Sequence, residues 1–405
     1  MGLFDKLRGP PSKDRFARLL MDRIRQAGEQ GALRYDAEQY RVLTEGENQH
    51  VLNLCNAYAE YRAAAPAQRA DVVRRYARTW FVARKDIPTD FEDARPDLLP
   101  ILRSRSYYAL ASLQAEIDHG TPLAWPYRVV GEHLGLSLAF DLPEAMRMIS
   151  QDQLDEWKID FDEALAISLD NLAEISQAPL TRAAPGLWVS PWKDSYDAAR
   201  LAFLDFIRAH DVVGDHVAMV PNRDTLLVTG SEDEAGLEEV LRLAEAALEA
   251  PRPLSSLLLR LQGNEWLPHL PARDQSLHDR FKLLWLRSLG EDYNEQKAAL
   301  DRLHKKRDED IFVASFTVVR HKDTGRAFSY CVWSEGVDSL LPRADLVMLY
   351  RPERAGEGPT TVPADWERAC RVAGELMKPA GLYPERYRVM GFPSEEQLRA
   401  MGLDE

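Results

Sequence analysis

Cysteine is scarce in this chain: Cys55, Cys331 and Cys370 are the only three in 405 residues. Three thiols, odd in number and far apart, build no disulfide framework, so a reducing cytoplasm is the expected compartment. Long apolar runs are missing too. No window comes near the roughly eighteen apolar residues that a membrane span needs, so no span is expected. The opening MGLFDKLRGPPSKD carries acid and base inside its one apolar run. That is not the pattern of a signal peptide, and a lead-in to the first helix is expected over a membrane foot through Gly2–Leu7. Also missing are a Gly-rich phosphate loop, a G-x-S-x-G elbow and an H-E-x-x-H pair, the short signatures of phosphoryl, acyl and metal-assisted chemistry.

Apolar residues make up 45% and charged residues 29% of the chain, a globular composition with length for two or three domains. The net charge of −14 is unevenly spread. Residues 1–90 are net basic by four, and residues 276–405 are net acidic by two. The middle, 91–275, holds 15 basic against 31 acidic side chains. Such a region repels phosphate backbones, so no nucleic-acid partner is expected; it is compatible with a basic protein partner. A proline- and acid-rich stretch around residues 87–100 reads as a boundary. We therefore expect a helix–strand–helix domain over 1–90, an acidic α+β domain over 91–275 and an α+β domain over 276–405.

The most readable segment is His216–Leu248. Two apolar runs, Val217–Val220 and Thr225–Val228, flank Pro221-Asn222-Arg223-Asp224, which predicts a β-hairpin. Ser231 with Glu234 reads as a capping box, opening a helix with Leu237, Val240, Leu241, Ala244 and Leu248 on one face. Elsewhere the periodicity predicts helices over 13–27, 51–64, 67–84, 162–175 and 195–210. In the last region it predicts two helices parted by Gly290, then strands over 311–320 and 327–333 joined through Asp323-Thr324-Gly325. The fold class expected is α+β, multidomain, with mainly antiparallel sheets and hairpin-then-helix modules.

His210 and His216 flank Asp211 and Asp215, but their spacing matches no metal-site pattern, and neither a metal nor a cofactor is expected. The three cysteines sit at core-like positions. Asp160 with Asp162, and Asp194 with Asp197, are pairs suited to acid–base work, yet Asp162 and Asp194 precede helices and read as N-caps. Arg223 and Asp224 are either a solvated turn or a rigid donor fork and acceptor shown to a ligand. Trp188, Trp192 and Tyr196 suit an interface patch or a lid over the core. Arg223, Asp224, Asp194, Tyr196 and Trp192 together form the candidate binding surface.

Pro100-Ile101-Leu102-Arg103, Leu134–Asp141, Met146–Ile149, Asn171-Leu172, Asp194-Ser195-Tyr196 and Val220–Asp224 with Leu226 resemble the uncharacterised bacterial YtpQ-like family. The resemblance spans roughly residues 95–270 and is most specific at the Pro-Asn-Arg-Asp turn. It implies a cytoplasmic α+β protein and supplies no activity, cofactor or catalytic residue. The leading expectation is a non-enzymatic protein-binding or adaptor module. Two alternatives stand beside it: a hydrolase or transferase using carboxylates and His210 or His216 near Arg223, and an immunity-type protein neutralising a basic toxin.

Overall fold

A computed structural model describes residues 11–45, 50–82, 84, 86–143, 145–272, 277–322, 324–353 and 358–401. The expectations for Gly2–Leu7 and Asp323 fall outside the described residues. The fold is α+β; among the described residues there are five small sheets that are mainly antiparallel.

Helix α1 (Lys13–Gln26) opens the chain, capped by Ser12, whose hydroxyl accepts from the Arg15 amide. Strands β1 (Leu33–Asp36), β2 (Arg41–Thr44) and β3 (Val51–Asn53) form a three-stranded sheet. Helices α2 (Cys55–Ala63) and α3 (Arg69–Val82) complete a core around Phe16, Leu20, Val42, Tyr76 and Trp80. The helix expected over 51–64 is thus a strand followed by a shorter helix. Its first three residues pair with β2, and Cys55, read as core, is exposed.

Strand β4 (Leu98–Ser104) pairs antiparallel with β6 (Leu134–Leu142), which also pairs with β5 (Arg128–Val130) and β7 (Ala145–Met148). Between β4 and β5 lies α4 (Arg105–His119), a helix the periodicity did not reveal. One side of it packs Leu113 on a long helix of the last region, and on another side Tyr108 donates to the Gly135 carbonyl of β6 at 3.1 Å, so its apolar positions are split between two partners. Helix α5 (Phe161–Glu174) is capped by Asp160, not by Asp162 as expected.

The second sheet of this region runs β13-β12-β10-β11-β9-β8, from β8 (Thr181–Ala184), β9 (Leu187–Val189), β10 (His216–Asn222), β11 (Thr225–Gly230), β12 (Leu259–Gln262) and β13 (Glu265–Pro268). The hairpin stands as expected, with Asn222 opposite Thr225 and Arg223-Asp224 as its two-residue turn. Alternation of side chains sends Ala218, Val220, Leu226 and Val228 into the core shared with β4 and β6. Val217, Met219 and Leu227 meet Leu237, Val240, Leu241 and Ala244 of α6 (Glu234–Leu248) on the other face. Both faces are covered, and that is why these strands are apolar throughout. The cap of α6 is Asp233, whose carboxylate accepts from the Gly236 amide; Ser231 instead accepts from the Asp215 amide.

The two helices expected around Gly290 are one 30-residue helix, α7 (His278–Arg307), about 45 Å long at 1.5 Å per residue. Gly290 continues it because the ring of Phe316 and the Val318 side chain lie against that position. Phe281 of α7 joins the hairpin-side core, while Leu300 and Leu303 pack with Leu113 of α4. The strand expected over 311–320 is two pieces in different sheets, Phe312–Val313 and Thr317–Arg320. A last core gathers Trp333, Leu341, Val347, Trp366 and Met377.

Candidate functional site

The hairpin tip is held from three sides. Asn222 Oδ1 accepts from the Asp224 amide at 3.0 Å, and its Nδ2 donates to the Ala247 carbonyl at 3.1 Å, tying the turn to the end of α6. The Arg223 carbonyl accepts from the Ala198 amide at 3.2 Å, and Asp224 Oδ1 accepts from the Ser195 amide at 2.8 Å. Opposite lies a loop, residues 190–200, in which Lys193 and Ser195 adopt positive φ of 53° and 71°. An ion pair of Asp194 with Arg200 holds it there.

Asp194 takes a forked contact from Arg200, at 2.9 and 2.7 Å, and accepts from the Tyr196 amide at 2.9 Å. Arg200 is fully buried, donates from Nε to Ser176 Oγ at 2.6 Å, and lies 4.0 Å from the ring centre of half-buried Trp192. Burial works to raise the Asp194 pKa, but the Arg200 guanidinium and the Tyr196 amide outweigh it and hold the carboxyl below its usual range. Asp197 moves the other way, raised by burial with the charge of Asp194 beside it. The helix expected over 195–210 is a 3-10 turn, Asp197–Ala202, and a short helix, Leu204–Arg208. Asp194 and Asp197 bond nearby backbone amides there, which competes with regular helix. Tyr196, placed on the candidate surface from sequence, is buried with 4% exposure and donates to Asp141 Oδ1 at 2.6 Å.

Beside this pair of loops the chain gathers arginines. Arg103, the last charge on an otherwise apolar strand, is 4% exposed. It donates to the Leu102 carbonyl at 2.7 Å and contacts Met146 Sδ at 3.0 Å. Among the described residues its Nε has no partner and no carboxylate pairs with it. Arg223 has neither hydrogen bond nor ion pair on its guanidinium among the described residues. Its burial, then the positive charge of Arg103 and that of Arg252, pull its pKa down from the ordinary value. Arg252 sits at φ 64° between Pro251 and Pro253, with the next strand residue pair Asn222 and Pro253 bridged. It donates to Ser195 Oγ at 3.1 Å and pairs with Glu60 of α2 at 2.9 Å. Tyr107, in the first turn of α4, is 41% exposed and lies edge-on to Tyr108.

Arg103 is buried without a carboxylate partner among the described residues, which costs free energy. Near the three arginines a cavity of about 500 Å³ is lined by Ser104, Tyr107 and Pro253 and by the carboxylates of Glu245, Glu249, Glu291, Asp292 and Glu295, and none of the arginines lines it. The structure thus brings Arg223, Asp224, Asp194, Tyr196 and Trp192 into one neighbourhood, with Trp192 set back over Arg200. Sequence reading missed Arg252 and Glu60 altogether. A Pro-Arg-Pro triplet after a helix end was the available signal for Arg252, since it fixes the backbone around a charged side chain.

His210 and His216 are engaged with backbone. His210 Nδ1 lies 2.9 Å from the Phe206 carbonyl, and His216 Nε2 lies 2.9 Å from the His210 carbonyl. The His210 ring packs edge-on against Trp188 and Phe206. Among the described residues no His, Cys, Asp and Glu group is arranged to hold a metal ion, and no helix is long and apolar enough to cross a membrane.

These features define an α+β protein with a cleft beside a hairpin turn that is locked to the facing loop. Over 169 residues, 40% of this chain, it is 25% identical to UPF0354 proteins of Staphylococcus aureus strains JH9, Newman and USA300. The aligned part is 55% of those proteins, so the chain spans about half the length of the curated relatives it matches. The YtpQ-like resemblance read from the sequence is therefore borne out as a resemblance to the UPF0354 family, whose members are uncharacterised. No family model matches the chain, and no solved structure matches it.

Proposed function

We propose that the chain is a non-catalytic binding protein of adaptor type, working in the bacterial cytoplasm and engaging its partner at the cleft beside the Arg223 turn. The observation that carries this reading is the division of labour within the cleft. Asp194, Asp224, Tyr196 and Arg200 spend their polar groups on one another and on backbone, as a scaffold does. Arg223, on the same rigid frame, is left with no protein partner among the described residues. A preorganised donor with nothing to bind is what a recognition site presents before its ligand arrives. The acidic composition of the middle region points to a basic partner, in keeping with the carboxylates of Glu245, Glu249, Glu291 and Glu295 that line the cleft.

Affinity capture from lysate of the source bacterium, with Arg223→Gln beside wild type, tests the reading. Circular dichroism and thermal melting first establish that the variant is folded. A partner held by wild type and lost by the variant is expected. The same set of captured proteins for both baits refutes the assignment of recognition to the cleft.

A further inference from the structure

We propose that the outer face of a four-stranded sheet in the last region is a dimer interface, and that its occupant is a second copy of this chain. The inference stands apart from the cleft and goes beyond the binding-protein reading.

The sheet is built from Thr317–Arg320, Ala327–Ser334, Leu346–Arg351 and Thr360–Asp365, in that order across it. Side chains alternate along each strand, so the register assigns every residue to one of two faces. Cys331, Trp333, Val347, Leu349 and Ala364 turn to one face, where Trp366, Ala369 and Met377 complete a core. On the other face Tyr330 pairs with Leu346, Val332 with Met348 and Ser334 with Tyr350. Phe328 shares that face, opposite Val319 of the edge strand. A sheet with one face in water ordinarily shows polar side chains there. This one shows Phe328, Tyr330, Val332, Leu346, Met348 and Tyr350. None of these is buried or packed into a hydrophobic core among the described residues. Val332 and Tyr350 are 39% and 36% exposed.

The chemistry of the face fits a second copy. Aromatic side chains and methionine without an ionised group are the composition of an interface centre. The acid at one corner, Asp365, accepts from the Arg368 amide at 3.0 Å as a helix cap. A chain of net charge −14 repels its own copy wherever charges face each other, and across this face they do not. A basic partner, by the same reasoning, finds no counter-charge here.

The area sets the strength. At about 3.3 Å per residue and about 4.8 Å between strands, the sheet has a flat footprint of about 380 Å². Two such faces with their rims bury roughly 1,000 Å², the lower bound for a specific interface. Closed about 10 Å apart around a two-fold axis, they form a sandwich in which each sheet covers what the other exposes. At that size the dimer is expected to be weak, dissociating at roughly 10–100 µM.

Sedimentation velocity on the full chain, from about 2 to about 200 µM, tests the assignment. The expected result is a concentration-dependent shift from monomer to dimer, no weaker at about 0.5 M salt than at about 0.05 M, because salt screens the like charges outside the face. Val332→Lys, shown to be folded by circular dichroism and thermal melting, is expected to weaken the dimer at least about tenfold. Tyr350→Lys is a second probe of the same face with the same expected effect. Leu267→Lys alters a leucine 38% exposed on another sheet and is expected to leave the dimer unchanged. A chain that stays monomeric to about 200 µM overturns the proposal. It is overturned equally where such a monomer captures a lysate protein that Val332→Lys loses, since the face then serves a different partner. A dimer that both folded face variants leave intact, or that Leu267→Lys weakens as much, overturns it too, because the copies then meet elsewhere.

Discussion

Replacing Arg200 by Met is expected to destabilise the chain by about 3 kcal/mol. The side chain is fully buried, so Met keeps most of its volume while removing every polar contact. Those contacts are two hydrogen bonds to Asp194, one to Ser176 and the cation over Trp192. Removing one member of a buried pair costs about 3–5 kcal/mol, because the other charge is stranded. Asp194 keeps 31% side-chain exposure, so water relieves part of that penalty and the low end applies. Urea unfolding of wild type, Arg200→Met, Asp194→Asn and the double variant forms a cycle with a coupling of about 2 kcal/mol. The pH dependence has a definite sign. The Asp194 carboxyl is held below its ordinary value of 3.8, so its contribution is present above about pH 4 and fades as the pH falls through the folded value. The cost of Arg200→Met therefore shrinks in acid. A cost under about 1 kcal/mol, or strict additivity in the cycle, refutes the claim that this pair holds the loop.

Asp292 gives the opposite pH signature. Burial pushes its carboxyl up to about 7, against the hydroxyl of Ser106 that donates to it at 2.6 Å. Its contribution is fully present below the ordinary carboxyl value and lost as the pH rises through about 7, so Asp292→Asn should melt above wild type near pH 8 and close to it near pH 4. A pH-independent gap between the two melting curves contradicts this. Gly290→Ala should stabilise by about 0.5–1 kcal/mol in denaturant unfolding, since an added Cβ meets Phe316 and Val318 at 3.6 Å, ordinary contact, within a continuous helix. Gly186→Ala should do the reverse, losing about 1–3 kcal/mol, because Gly186 has φ 73° and its new Cβ would overlap the Asp233 carboxylate that caps α6. A thermal melt of Gly186→Ala equal to wild type would show that the cap tolerates displacement.

The elements legible in the sequence are those whose pattern answers to local rules. Hairpin β10–β11 and helix α6 were readable because apolar runs, a polar turn and 3.6-residue spacing coincide there. The cap of α6 was misplaced by two residues since Ser231 and Asp233 both suit the role; the choice fell to Gly186, whose carbonyl accepts from Thr229 beside the Asp233 corner. Helix α4 went unread because its apolar positions are split between α7 and β6, and so lacks a plain apolar stripe. Gly290 looked like a break because its packing partner, Phe316, lies on a different element. The candidate site was half legible. The turn at Arg223-Asp224 and the Asp194–Tyr196 loop stand out as short polar runs between apolar ones. Their closure into a cleft, with Tyr196 turned inward to Asp141, depends on strands more than fifty residues away. Arg252 and Glu60 meet only through the packing of α2 against the middle region, a contact that leaves no local trace.

Affinity capture with folded Arg223→Gln beside wild type tests the central claim most directly. The account predicts a partner held by wild type and lost by the variant. The same captured proteins from both baits would contradict it.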